Sequence, residues 1–218
     1  MKRSFFCRLI LPIAVTGWFL SGCSGGGKKP LVSEVMAPSF TVGLRPLVTP
    51  DSMPLIQSCA WALSGNKLLL VGGRMQGFHG LTGIDSIFSQ HYANHSVWVV
   101  DLHDFSARSI ALDTSMPQWQ PLCASNMEFV QSGDTLFVVG GFGARRARDA
   151  QSNYTFNTLM AISVSGMIRQ AEQQGNPRKA VIATAQSPFL QVTGGEIIRS
   201  GNLFYLMFGQ NFDGAYNP

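Results

Sequence analysis

Hydrophobic and polar positions recur along this chain in three matching segments. They read Ala60-Trp-Ala-Leu-Ser-Gly-Asn-Lys-Leu-Leu-Leu-Val-Gly-Gly73, Glu128-Phe-Val-Gln-Ser-Gly-Asp-Thr-Leu-Phe-Val-Val-Gly-Gly141 and Glu196-Ile-Ile-Arg-Ser-Gly-Asn-Leu-Phe-Tyr-Leu-Met-Phe-Gly209. Their turn glycines, Gly65, Gly133 and Gly201, are separated by the same 68 residues (133 − 65 and 201 − 133). Equal intervals with aligned flanks mark an internal repeat. Ser-Gly-Asn or Ser-Gly-Asp supplies residues that tolerate positive φ, so each segment predicts a β-hairpin. The apolar runs Leu68–Val71, Leu136–Val139 and Leu203–Phe208 have the length of strands buried on both faces. The glycines that close them permit close backbone approach.

Further strands follow each hairpin. Ser96–Leu102 and Phe156–Val164 read as third strands, and Ala107–Leu112 and Val181–Ala185 as fourth ones. Four short antiparallel strands per unit is the content of a propeller blade. The pattern therefore predicts an all-β chain of about three four-stranded antiparallel units, with a β-sandwich of repeated hairpins as the alternative. Gly166–Gln174 lacks β-branched residues and predicts a short helix between strands.

The first 23 residues are of a different kind. Lys2, Arg3 and Arg8 precede a twelve-residue apolar run, Leu9–Leu20, which rises about 18 Å as a helix, short of a bilayer's roughly 30 Å core. A basic start followed by a short apolar run is the layout of a secretory leader. It ends in Leu20-Ser21-Gly22-Cys23, which resembles the lipobox of bacterial lipoproteins. That resemblance implies cleavage of residues 1–22, a diacylglycerol on the Cys23 thiol and an acylated new amine. Two or three long acyl chains anchor stably where one would not. Ser24 after the cysteine implies, in a Gram-negative cell, the outer membrane. Residues 23–40, rich in Gly, Lys, Pro and Ser, read as a flexible tether, which leaves 41–218 for the repeats.

The hairpin, the run ending in Gly72-Gly73 or Gly140-Gly141, and Val97-Trp-Val-Val-Asp-Leu102 together resemble kelch repeats, with Met53-Pro54 and Met116-Pro117 in the place of the Met-Pro that often precedes a kelch blade. The resemblance implies a kelch-like β-propeller. The third unit departs from it with Phe208-Gly209, Val100 stands where an aromatic is usual, and the unit exceeds the roughly 50-residue kelch period. Propellers close with four to eight blades. Fewer than three units fit between the tether and Pro218, so an incomplete ring is expected: the first part of a longer propeller, with Phe40–Leu47 as an outer strand for the last blade.

Composition then limits the chemistry. The formal charge is +4 and the pI near 9.0, which invites a nucleic-acid reading. Loss of Lys2, Arg3 and Arg8 with the leader leaves 13 basic against 12 acidic residues, and that reading lapses. Once Cys7 leaves and Cys23 is acylated, Cys59 and Cys123 remain; an exported compartment permits a disulfide between them or two separate buried thiols. His79, His91, His95 and His103 lie in one stretch. His91 and His95 are the weak metal candidates, without the glutamate of the zinc hydrolase pattern. Arg145, Arg146 and Arg148 follow the second diglycine and are candidates for contact with an anionic ligand. No catalytic triad, carboxylate pair, phosphate loop or cofactor motif stands out. The expected function is a lipid-anchored module at the cell envelope that binds a protein or glycan. The alternatives are a carbohydrate-active enzyme of the exported kelch class (a mutarotase, epimerase or oxidase-like protein) and an inactive fragment.

Overall fold

A computed structural model describes residues 41–44, 49–75, 90–146, 149 and 152–213. The chain divides into two compact units, Met1–Arg45 and Pro46–Pro218, and the elements below all belong to the second. Of the first, only Thr41–Leu44 is described; it carries no regular structure and is exposed. The leader, Cys23, His79 and Arg148 lie outside the described residues, as does half of the outer strand expected over 40–47; the described half, Thr41–Leu44, forms no strand.

The fold is all-β, built of small antiparallel sheets that, among the described residues, do not close into a ring. The first is a meander of β1 (Ala60–Ser64), β2 (Lys67–Val71), β3 (Ser96–Asp101) and β4 (Ala107–Ala111). The second joins β5 (Glu128–Ser132), β6 (Thr135–Val139), β9 (Thr158–Ser163) and β10 (Val181–Gln186) in the same spatial order. Between β6 and β9 the chain makes a short hairpin of β7 (Phe142–Ala144) and β8 (Asn153–Thr155), which the sequence reading missed. The third sheet has two strands, β11 (Thr193–Ser200) and β12 (Leu203–Gln210). Among the described residues these are three propeller-like blades, two of them four-stranded.

The shared hairpin signature sets the register. Ser64 pairs with Lys67, Ser132 with Thr135 and Ser200 with Leu203, so each loop has two residues. Glycine is the first of the two, at φ near +60° in all three, as a type II′ turn requires. Alternation along the strands then sorts the faces. Ala60, Ala62, Leu69, Val71, Val97, Val99 and Ile110 share one face of the first sheet and are buried with Leu136, Val138, Met160 and Ile162 of the second. The opposite face of the second sheet packs Val130, Val139 and Leu159 against Val192, Ile197 and Leu206.

The helix α1 (Val164–Glu172) starts two residues before the expected segment, because Val164 leaves the strand pattern and begins the helix. Ser163 caps it by accepting from the Gly166 N–H, and Asp134 accepts from the Ser165 N–H at 2.8 Å. Bonding to Ser165 and Ser163 holds the Asp134 carboxyl below its ordinary range. Val164, Met167, Ile168 and Ala171 form its buried stripe at helical spacing. The segment Pro117–Cys123 is a 3-10 helix that adds Trp119 and Leu122 to the same core.

The sheets are joined by bonds that recur with the repeat. The Asn126 N–H donates to the Ser58 carbonyl, and the Gly194 N–H to the Asn126 carbonyl, each at 3.0 Å. These three equivalent residues all have positive φ: 56°, 52° and 69°. In the same way Gly73 donates to Ala124 at 2.7 Å and Gly141 to Val192 at 2.8 Å. The first glycine of each pair thus serves contact between blades, since a β-carbon on Gly72 would collide with the Ala124 carbonyl and one on Gly140 with the Val192 carbonyl, both in the backbone that enters the next blade.

Candidate functional site

The innermost strands β1, β5 and β11 bring repeat-equivalent residues together. Trp61, Phe129 and Ile197 occupy the same position in the three units, and all line one cavity of about 600 Å³. Trp61 is 47% exposed and meets Phe129 edge to face, with ring centres 5.8 Å apart. Glu128, Gln131 and Glu196 add the polar part of the wall. That volume lies within the roughly 300–1,000 Å³ range of small-ligand sites.

Gln131 is committed to the fold. Its Oε1 accepts from the Leu63 N–H at 2.8 Å, and its Nε2 donates to the Leu63 carbonyl at 2.7 Å and to that of Gly133 at 2.9 Å. It therefore covers the inner edge of β1, which no described strand pairs. Arg199, its equivalent in the third blade, reaches back to Ser132 Oγ at 2.6 Å.

Glu128 is only partly satisfied. The residue is 2% exposed, and its Oε1 accepts from the Gly195 N–H at 2.6 Å. Its Oε2 is buried with no hydrogen-bond partner among the described residues. Burial pushes this carboxyl above its ordinary range; the Gly195 bond opposes that, and the charge of Glu196 adds to it. The site therefore offers carboxyl oxygens beside aromatic and aliphatic surface. Its described lining residues include no hydroxyl, thiol or imidazole.

The residues singled out from sequence lie elsewhere. Arg145 follows β7; its guanidinium lies 3.9 Å over the Tyr154 ring and 3.7 Å from Asp213. Arg146 is 3.9 Å from Asp149 with its side chain exposed. Both arginines thus already face an acidic neighbour on their own chain, around a cleft of about 230 Å³. His91 stacks edge to face on Tyr92 at 4.8 Å, and His95 stands just before β3. Among the described residues, no three His, Cys, Asp or Glu side chains gather to hold a metal ion.

Cys59 and Cys123 are free thiols. Cys59 is half-buried beside Gly73, and burial raises its pKa. Cys123 ends the 3-10 helix inside the core, where burial pushes its thiol up to about 12. Both are protonated near neutral pH, which suppresses thiolate chemistry.

Asn94 is the structural residue that sequence reading passed over as part of a polar loop. It is 1% exposed; its Nδ2 donates to the Gly72 and Ser96 carbonyls at 2.9 and 2.8 Å. Its Oδ1 accepts from the Ser96 N–H and the Trp98 indole at 3.0 and 3.2 Å. Four bonds satisfy the whole amide and hold the first diglycine against β3.

No described helix is long and apolar enough to cross a membrane. Compared with known proteins, the chain matches no family model and no curated protein.

Proposed function

We propose that this protein is a lipid-anchored, kelch-like binding module of the cell envelope, and that the cavity between its inner strands receives a neutral or amine-bearing glycan. The observation that carries the reading is the convergence of Trp61 and Phe129 with Glu128 and Glu196 in one cavity. A sugar ring presents a C–H face that suits an aromatic side chain, and hydroxyl donors that suit carboxyl oxygens. Two acidic side chains disfavour an acidic glycan by like-charge repulsion and desolvation. The anchor is the reading of Leu20-Ser-Gly-Cys23, with the following tether carrying the blades clear of the headgroups.

Two experiments test the two halves. Full-length protein is applied to a panel of immobilised neutral, amine-bearing and acidic oligosaccharides, beside Trp61→Ala. Binding of non-acidic glycans that weakens about tenfold or more on loss of the ring supports the site, since one such anchor contributes about 1.4 kcal/mol or more. Retention only of acidic glycans, or binding indifferent to Trp61, sinks it. For the anchor, labelled palmitate should enter the wild-type chain and leave Cys23→Ala unlabelled and released from membranes. Labelling that survives the substitution removes that half.

A further inference from the structure

The second sheet has an open outer edge where the first has a covered one. In the first blade the outermost strand is β4, and α1 packs against it. Just past that helix, the Gln174 side chain donates to the Ser109 carbonyl of β4 at 2.8 Å. In the second blade the outermost strand is β10, which pairs with β9 along one edge and, among the described residues, with no strand along the other. Every residue from Ile182 to Gln186 is exposed. A bulge interrupts the ladder between Val181 and Ala183, and the register then runs unbroken from Ala183 to Gln186. Alternate residues of such a stretch direct their N–H and C=O groups outward, which makes a template for one more strand.

A cleft of about 250 Å³ lies beside this strand. Its buried members are Trp119 and Met160, each 3% exposed, and its exposed ones are Gln118, Arg178 and Thr184. The cleft is smaller than the roughly 300–1,000 Å³ of small-ligand sites and suits a single side chain. Thr184 pairs with Met160 across the ladder, so the two share a face of the sheet. A residue opposite Thr184 on an added strand shares that face too, which directs its side chain towards the cleft.

The charge at this edge is positive. Asn176 Oδ1 accepts from the Arg178 N–H at 3.0 Å and caps the short 3-10 helix Pro177–Ala180, which sets Arg178 and Lys179 just before β10. Both are exposed. Lys67 is paired with Asp101 and Glu172, and Arg145 with Asp213, but among the described residues neither Arg178 nor Lys179 has an acidic partner.

We infer that β10 receives an extended peptide of a partner protein as a fifth strand of the second sheet, with an acidic side chain seated in the cleft beside Arg178. Main-chain bonds to Ala183–Gln186 supply affinity, and the cleft selects the side chain. The aliphatic stem of a glutamate suits Trp119 and Met160 while its carboxylate meets the guanidinium; a lysine in its place meets like charge. The strand that lines the inner cavity, β5, is at the opposite edge of the sheet, so this surface is independent of what the cavity binds.

The test uses the full chain in non-ionic detergent and blocked, fluorescent heptapeptides of alternating Thr and Val, with Glu or Lys at the centre. Fluorescence anisotropy should show saturable binding of the Glu peptide, about tenfold or more tighter than the Lys peptide. Hydrogen exchange should slow at the amides of Ala183–Gln186. Arg178→Glu should reverse the order of the two peptides, a gain that a misfolded variant could not show. N-methylation of one alternating set of peptide amides should abolish binding, and methylation of the other set should spare it. The inference is overturned by a Glu peptide that does not bind, by a ranking that Arg178→Glu leaves unchanged, by binding that both methylated peptides retain, or by protection that falls outside β10. Protection of Ala183–Gln186 that grows with protein concentration in the absence of peptide overturns it as well, since it gives the edge to a second copy of this chain.

Discussion

Gly140→Ala isolates what the diglycine contributes, because another glycine in the same sheet provides a matched control. Gly140 has φ +63° and Gly133 has φ +59°, so an L side chain costs about 1–2 kcal/mol at either. Their surroundings differ. A β-carbon on Gly133 meets nothing within 4 Å, whereas one on Gly140 runs into the Val192 carbonyl oxygen and comes within 3.1 Å of the Leu190 carbonyl oxygen. Those oxygens belong to the backbone that enters the third blade, so relief requires one blade to move from the other. Overpacking of that kind costs about 1–3 kcal/mol more, for a total of about 2–5 kcal/mol. In urea unfolding, Gly140→Ala should lower the midpoint further than Gly133→Ala by about 0.5–1.5 M, taking a slope near 2 kcal/mol/M. Equal losses at the two positions would refute the claim that the diglycine is there for contact between blades.

Three other substitutions probe different parts of the fold. Asn94→Ala leaves the Gly72 and Ser96 carbonyls, the Ser96 N–H and the Trp98 indole without their buried partner; a loss of about 2–4 kcal/mol is expected in urea unfolding, and a loss under 1 kcal/mol would contradict it. Ser163→Ala removes the cap from the Gly166 N–H and should cost about 1 kcal/mol, measured the same way, with unchanged stability as the contrary result. Glu128→Gln addresses pH. The folded state raises this carboxyl, so its contribution to stability is full below the ordinary carboxyl value of about 4.3 and is lost as pH rises through the folded value. The variant has no such slope and should gain on the wild type between pH 4.5 and pH 8; parallel pH profiles for the two proteins would rule this out.

The repeat was legible because its signals are local. Ser-Gly-Asn turns, apolar runs of strand length and closing glycines each report on the backbone within a few residues, and they recur at one spacing. The hairpins, third strands and fourth strands accordingly fall where the pattern places them. The β7–β8 hairpin was not legible, since Phe142–Ala144 is three residues with two small ones and no alternation to read. Nor was the cavity. Glu128 looks like an ordinary polar strand start, and only the arrival of β11, 67 residues later, buries it under Gly195. Asn94 reads as loop chemistry for the same reason, because the carbonyl of Gly72 that anchors it lies 22 residues away. Arg145 and Arg146 read as open cations; Asp213 and the Tyr154 ring meet Arg145 only through tertiary structure.

The hydrogen bonds that pass from blade to blade can be observed one by one, as through-bond NMR couplings between an amide nitrogen and the carbonyl carbon that accepts its proton. Couplings should link Asn126 N to the Ser58 carbonyl and Gly194 N to the Asn126 carbonyl, with a second pair from Gly73 to Ala124 and from Gly141 to Val192. Matching couplings at both junctions are the result predicted for one contact used twice. Couplings from Asn126 and Gly194 to carbonyls within their own blades would contradict it.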